Sequence, residues 1–294
     1  MKPEKPVDHS RLVLLRRLWK WRWRPPVFPA MVLIVFVLLA LLPGVFAPHD
    51  PLATDLQLRF RPPAWLNGGD GSNLLGTDAL GRDVLSRIVH GARVSLGVAV
   101  AALVLAGFVG LVIGVISGYT KGWLDVVLMR LADAAMSIPL FLIALMLAVV
   151  RGPSALNVIL VIGGLTWAQY ARVMRGEVLS IRQREFIQAA RAVGARPGRI
   201  VMRHITPNVI NSLIVLMTAQ IGAVIILEAS LSFLGAGVPP PAPAWGTLVA
   251  DGREVINSAW WVSFFPGMTI LVVVLSVNFI GDWLRDMLDP KTRS

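Results

Sequence analysis

The chain has 294 residues, 55% of them hydrophobic and 15% charged, and it contains no cysteine. Soluble domains carry about a quarter of their residues charged, so this is a membrane composition, and the missing cysteines exclude disulfides, thiol nucleophiles and thiolate metal sites. The net charge of +11 is concentrated at the N-terminus and in residues 172–203, a pattern that orients a protein in a bilayer and argues against nucleic acid as the partner.

Residues 1–26 interleave Arg16, Arg17, Lys20, Arg22 and Arg24 with Trp19, Trp21 and Trp23. That mixture suits a segment lying in the headgroup region, in contact with membrane lipid. Residues 27–47 form the first span. It is read as a retained anchor with the N-terminus inside, because the apolar run outlasts a signal-peptide core and Pro48 opposes cleavage. Residues 48–93 are an outer excursion of balanced charge. Within it, Thr77 or Asp78 is expected to cap a short amphipathic helix with Leu80, Val84, Leu85 and Ile88 on its apolar face.

Residues 94–118 are the second span. Gly110, Gly114 and Gly118 recur every four positions, a small-residue stripe that admits another helix at close range. After a tight inner turn at Thr120-Lys121-Gly122, residues 124–150 form the third span. Asp125, Arg130 and Asp133 occupy its first turns, and Ser137-Ile138-Pro139 follows. Arg130 and Asp133 are spaced for an i, i+3 pair. Ionisable groups at such depth normally face protein or water. Two readings stand: pairing within or between helices, or a lining role for Asp133 and Ser137 in a translocation pathway. Pro139 is expected to kink the helix. Residues 155–172 make the fourth span.

Residues 173–207 form an inner loop. Between Arg172 and Asn208, eight arginines face only two acids, Glu177 and Glu185. Phe186, Ala189, Ala190 and Val193 recur at helical spacing, and Gly194 stops the helix with Pro197 just beyond. A short helix with two alanines outward suits docking into another protein's groove. The blander reading is a basic loop that only sets orientation.

Residues 208–234 are the fifth span. Glu228, in its outer third, is read as a partly hydrated helix-end group or as a pathway residue. Residues 235–259 carry Pro239, Pro240, Pro241 and Pro243 and are expected to form an ordered outer cap. Residues 260–281 are the sixth span and 282–294 an inner tail. Six spans put both basic termini, Lys121 and the arginine loop on one side, as the charge rule requires.

No phosphate-binding loop of the G-x-x-x-x-G-K-S/T type is present, nor G-x-S-x-G or H-E-x-x-H. The four histidines show no metal-ligand spacing. An acid dyad of Asp133 and Glu228 is the sole intramembrane catalytic arrangement to weigh, and it lacks flanking motifs.

The order Gln188-Ala189-Ala190, three residues, Gly194, then Pro207 resembles the EAA loop of ABC importer permeases, with Gln188 where that motif usually carries Glu. GTDALGRDVLSR at 76–87, GARVSL at 91–96, LSFLGAGVPPP at 231–241 with AWG after it, and GDWLRDMLDP at 281–290 resemble the C-type permease chain of dipeptide, oligopeptide and nickel importers. The resemblance runs from about Ala47 to Pro290. It implies an all-α integral membrane protein with six transmembrane helices, the type I ABC importer permease fold and both termini cytoplasmic.

The resemblance also implies a partner set. That set would be a second homologous permease chain forming a heterodimer, two ATP-binding cassette subunits and an extracytoplasmic substrate-binding protein, all at a bacterial or archaeal inner membrane. No cofactor is expected in this chain, since ATP and magnesium would be bound by the ATPase subunits. It is expected to be no enzyme itself. Glu185, Gln188, Ala189, Ala190, Gly194, Ala195, Arg203 and Pro207 would couple to those ATPases. Peptides are the implied substrate, with nickel chelates or glutathione as alternatives. A different class, the ion-coupled secondary transporter or channel, would be expected to show internal repeats and charged midplane sites, and a membrane scaffold would have no use for the alanine-faced loop.

Overall fold

The computed structural model describes residues 26–288. The basic, aromatic segment expected over 1–26 and the last residues of the inner tail therefore lie outside the described residues, apart from Pro26. The described residues form helices and turns, with one isolated bridge between Thr77 and Asp83.

The helices are α1 (Val27–Leu41), α2 (Pro43–Phe46), α3 (Val84–Thr120), α4 (Gly122–Ser137), α5 (Leu140–Arg151), α6 (Ala155–Ile181), α7 (Glu185–Ala192), α8 (Pro197–Ile200), α9 (Thr206–Phe233), α10 (Trp245–Arg253) and α11 (Trp261–Leu288). A single 3-10 turn, Leu56–Leu58, lies in the long excursion, and a π-helical turn, Val201–Ile205, leads into α9. Three stretches, Val84–Thr120, Pro197–Phe233 and Trp261–Met287, are each long and apolar enough to cross a membrane. The pair α4 and α5 makes a fourth only as a broken span, bent by 77°.

That bend has a local cause. Pro139 cannot donate to the ladder and biases Ile138 away from helical angles; Ile138 is extended at φ −85°, ψ 124°. The helix restarts after Pro139, which acts as its N-cap. The expected kink is a full break.

The excursion also differs from expectation. The helix does not begin at Thr77 or Asp78 but at Val84, with Asp83 as N-cap accepting from the Ser86 amide at 2.8 Å. Asp78 is spent on a turn instead. Its carboxylate accepts from the amides of Leu80 (2.8 Å) and Arg82 (3.0 Å) and from Arg82 Nε (2.8 Å). Gly81 closes this turn at φ +71°, and a Cβ there would lie 1.8 Å from the Asp55 carbonyl oxygen. Leu80 is thus part of a folded polar knot. From Val84 the helix runs without interruption to Thr120.

The core is a seam between α3 and α6. A Cβ on Gly110 would lie 2.4 Å from Tyr170 Cβ, on Gly114 2.6 Å from Met174 Cβ, and on Gly118 2.8 Å from Val178 Cβ. Three glycines four residues apart thus face three side chains four residues apart, the close approach that small residues permit between membrane helices. Helix α9 packs against both members of this pair, α11 packs on α9 and α10, and α1 lies across α3 and α11.

The proline-rich outer segment contains a helix that its composition hides. In α10, Trp245 is fully buried; its backbone amide donates to Ser95 Oγ at 3.1 Å and its indole to the Ile88 carbonyl at 3.0 Å. Gly246 makes this docking feasible, since a Cβ there would lie 2.2 Å from the Ala229 carbonyl oxygen of α9.

Candidate functional site

The bundle has two polar ends. At the end carrying the arginine loop, α7 spans Glu185–Ala192 and ends in a Schellman turn. The Ala195 amide donates to the Ala190 carbonyl at 3.0 Å and the Gly194 amide to that of Arg191 at 3.0 Å, with Gly194 at φ +77°. A side chain at Gly194 would be strained by that angle, although the space around it is open.

Burial decides which side of α7 faces out. Ile187 is fully buried with Ile181, Ile200 and Ile205 in the apolar core. Ala190, three residues on, turns with it and is half-buried, as is Ala195. This corrects the expectation of two outward alanines: Ala189 faces out and Ala190 does not. Ile187 seats in the apolar core that also holds Ile181, Ile200 and Ile205, and that seat sets the rotation of the helix even though the larger Phe186 stays 42% exposed. The outward face carries Phe186, Ala189 and Val193, the last 84% exposed, and Met202 adjoins it at 71%. Glu185, Gln188, Arg203 and Pro207 are exposed. The Gln188 amide donates to the Gln183 carbonyl at 3.0 Å, inside the loop itself. Pro207 sits where the backbone has widened into its π turn, a geometry that accommodates the missing N–H.

Two attachments join this loop to the bundle. Arg182 Nη1 donates to the Tyr119 carbonyl at 2.7 Å, and its guanidinium lies 5.5 Å from the Tyr119 ring centroid. The Arg191 guanidinium of α7 lies 5.9 Å from the same ring. Tyr119 thus holds two cations at the carbonyl-rich C-terminal end of α3, where positive charge is favoured. The second attachment lies one to two turns further in. Arg175 of α6 grips Asp125 of α4 with two bonds, Nε–Oδ1 at 2.6 Å and Nη2–Oδ2 at 2.7 Å. Ser117 of α3 donates its hydroxyl to the same carboxylate. A bidentate arginine–carboxylate pair is among the stronger and more directional polar contacts. It ties three helices at one point.

The residues singled out for a pathway are scattered. Asp133 takes its close partner from α6, with Arg172 Nη2 at 2.6 Å, while the i, i+3 partner Arg130 stands off at 3.9 Å. Ser137 is exposed and donates to its own helix at the Ala134 carbonyl, 2.8 Å away. Glu228 is not partly hydrated and lines no open surface. It is fully buried inside the chain, with Ser232 Oγ donating to Oε1 at 2.8 Å and Oε2 lacking any hydrogen-bond partner. The sequence reading missed this because α10 covers it: Ser95 and Trp245 close over the position that a bare helix end would have left wet. Asp133 and Glu228 therefore sit in different surroundings and form no dyad. Among the described residues no group of His, Asp and Glu is arranged to hold a metal ion.

The opposite end is knotted tightly. Asp78 accepts from Arg87 as well as Arg82, and Arg87 reaches Asp251 of α10 at 3.4 Å. Asn73 donates to Asp83 at 3.0 Å, and the Trp261 indole at the start of α11 donates to the Thr77 carbonyl at 3.1 Å. The motif over 76–87 is a lock that fastens the excursion to α3, α10 and α11.

Ile187, Tyr119, Arg175, Ser117, Ser95 and Trp245 were all missed as site or support residues. Arg175 was readable only as one more positive charge, because its partner lies 50 residues away. For Tyr119 the available signal was its place in the last turn of an apolar run next to the inner turn.

Comparison with known proteins gives a consistent result. Residues 110–294 match the model of the family described as "Binding-protein-dependent transport system inner membrane component". The chain is 39% identical to the Di/tripeptide transport system permease protein DppC of Pseudomonas aeruginosa, over 90% of this chain and 86% of that one. It is also 39% identical to the Dipeptide transport system permease protein DppC of Alkalihalophilus pseudofirmus, with the same coverage. Among solved structures, an inward-facing conformation of the MetNI methionine ABC transporter superposes with a TM-score of 0.57 at 19% identity, covering 69% of this chain and 97% of the other. With an all-helical bundle, apolar helices of spanning length and an exposed helical knuckle on an arginine-rich loop, the chain belongs to the family of binding-protein-dependent transport system inner membrane components, the permease subunits of ABC importers.

Proposed function

We propose that this chain is one permease subunit of an ABC importer for di- and oligopeptides. It forms half of the translocation pathway, beside a second homologous permease chain. Two ATP-binding cassette subunits power it from the cytoplasmic side, and a binding protein delivers solute on the other. The peptide assignment draws on the names of the relatives above. The coupling assignment draws on one observation: α7 buries a single large side chain, Ile187, and leaves Phe186, Ala189 and Val193 outward.

A helix built that way keeps an apolar face that the other described residues leave open. Its apolar face is small, flat at Ala189 and ringed by the exposed cations Arg184, Arg191, Arg196 and Arg199. Movement imposed on it reaches the bundle through a short set of contacts. Tyr119 links α7 to α3, the Asp125–Arg175 pair links α4 to α6, and the glycine seam links α3 to α6. Closing of the ATPase subunits then displaces α7, and the packed pair α3–α6 moves with it as a body, the hinge-and-shear mode expected of closely packed helices. Free energy enters through ATP in the partner subunits, and this chain contributes geometry.

The test is Ala189→Trp in the assembled importer. Ala189 is exposed in this chain, so the substitution should leave thermal unfolding of the chain unchanged. Loss of ATPase association by about tenfold or more, a typical cost for spoiling an interface centre, together with loss of peptide uptake, is the expected outcome. Normal association and uptake would remove the coupling role from α7.

A further inference from the structure

Between α1 and α3 lies an open groove of about 810 Å³. Its walls are apolar, with Val37 and Leu41 from α1 facing Val100 and Phe108 from α3. At one end stands Arg93, exposed, with no ion pair or hydrogen bond to any other described residue. Beside it, Gly97 leaves a notch, for a Cβ added there would meet nothing within 4 Å. Arg93, Gly97, Val100 and Phe108 follow one another along a single face of α3 at helical spacing.

The dimensions are those of one membrane leaflet. From Arg93 to Phe108 is 15 residues, about 22 Å of helix rise. Half of a bilayer including its headgroups is roughly 20–22 Å. With Phe108 at mid-membrane, Arg93 stands at the level of the phosphates. Continuing along α3 from Phe108 to Thr120 reaches the opposite headgroup level.

We propose that this groove is a binding site for a phospholipid of the outer leaflet, its phosphate on Arg93 and one acyl chain lying from the Gly97 notch toward Phe108. The outward side follows from the orientation under Proposed function, and the site itself does not depend on the substrate or coupling assigned there. The occupant is chosen by charge. A guanidinium offers a fork of donors matched to a phosphate, and covering the groove with an apolar protein helix would bury Arg93 unpaired, which is costly. A lipid satisfies both ends of the groove at once.

The experiment uses the full-length chain, assembled with its partner subunits, stripped of lipid in detergent and titrated while bound molecules are counted by native mass spectrometry. The probes are dioleoylphosphatidylglycerol, dioleoylglycerol (the same chains without phosphate) and inorganic phosphate. One phosphatidylglycerol should bind with an affinity that falls about five-fold in Arg93→Gln, the worth of one basic residue at a phosphate-bearing surface, and is largely recovered in Arg93→Lys. Gly97→Leu, which fills the notch but keeps the charge, should weaken phosphatidylglycerol and dioleoylglycerol alike. Inorganic phosphate should not compete. Equal retention in the wild type and Arg93→Gln would overturn the proposal, as would competition by inorganic phosphate, the mark of a free-anion site. Because the chain contains no cysteine, Val100→Cys gives a single attachment point on it; cross-linking from there to the second permease chain would show that protein fills the groove and would equally overturn the lipid assignment.

Discussion

The two polar ends of the bundle are built on opposite principles. At the excursion end, charged and aromatic groups are folded inward. Asp78, Arg87 and Trp245 are buried and bonded between the loop, α3 and α10, and Glu228 is buried in α9 with a bond to Ser232 of its own helix. At the arginine-loop end, a short helix hangs on one isoleucine and on cations resting against Tyr119, and most of its surface is open. Buried polar networks hold a unique arrangement, whereas a lightly attached helix with few buried contacts is available to a partner. The difference teaches where motion enters and where it is resisted.

Substitutions can sharpen or break that contrast. The largest effect is expected from Trp245→Ala, which empties a fully buried site and removes the indole hydrogen bond to the Ile88 carbonyl. A loss of about 3–5 kcal/mol, read as a lower unfolding temperature, should appear first as faster hydrogen exchange in α10 and the excursion, with α7 unchanged. Loss of protection in α7 to the same degree would mean that the two ends are not separate. Next is Gly114→Leu. Its Cβ would fall 2.6 Å from Met174 Cβ and 2.7 Å from the Ala171 carbonyl oxygen, so α3 and α6 must part, at a cost of about 1–3 kcal/mol or more. Uptake should fall even where the ATPase subunits still bind, because the seam that carries the movement is open.

Smaller again is the Asp125–Arg175 pair. Arg175→Gln should cost about 1–2 kcal/mol, less than a sealed pair would, since the arginine side chain keeps a third of its exposure. A double-mutant cycle with Asp125→Asn should return a coupling energy of about 0.5–2 kcal/mol, and additive effects would show that the pair does not act as a unit. The smallest effect is at Tyr119. Tyr119→Leu removes the ring under Arg182 and Arg191 for about 0.5–1 kcal/mol, visible as quicker exchange of the α7 amides. Tyr119→Phe keeps the ring and should behave like the wild type.

Much of this architecture was legible in the sequence, for identifiable reasons. Glycines four apart announce a close helix contact because residues without bulk let two backbones approach, and Gly110, Gly114 and Gly118 meet α6 at that spacing. Gly194 reads as a stop because the turn after α7 needs φ > 0, and it has φ +77°. What stayed hidden depends on tertiary partners. Phe186, Ile187, Ala189 and Ala190 lie so close together that periodicity cannot say which of them turns inward; Ile187 does. The helix over Trp245–Arg253 was masked by the prolines before it. Asp78 and Asp83 are both competent caps, and the chain uses Asp83 because Asp78 is engaged by Arg82 and Arg87. Glu228 looked wet from its place near a helix end, and α10 makes it dry.

The central claim is that the outward face of α7 is where the driving subunit docks. Val193 is 84% exposed at the end of that face, and the native chain contains no cysteine, so Val193→Cys carries a single thiol-reactive photo-cross-linker without disturbing the fold. In membranes containing the whole importer, illumination should join this chain to an ATP-binding cassette subunit, with a yield that changes when ATP is added. A chain that cross-links to no such subunit, or an introduced thiol that is labelled from outside the intact cell, would contradict the account.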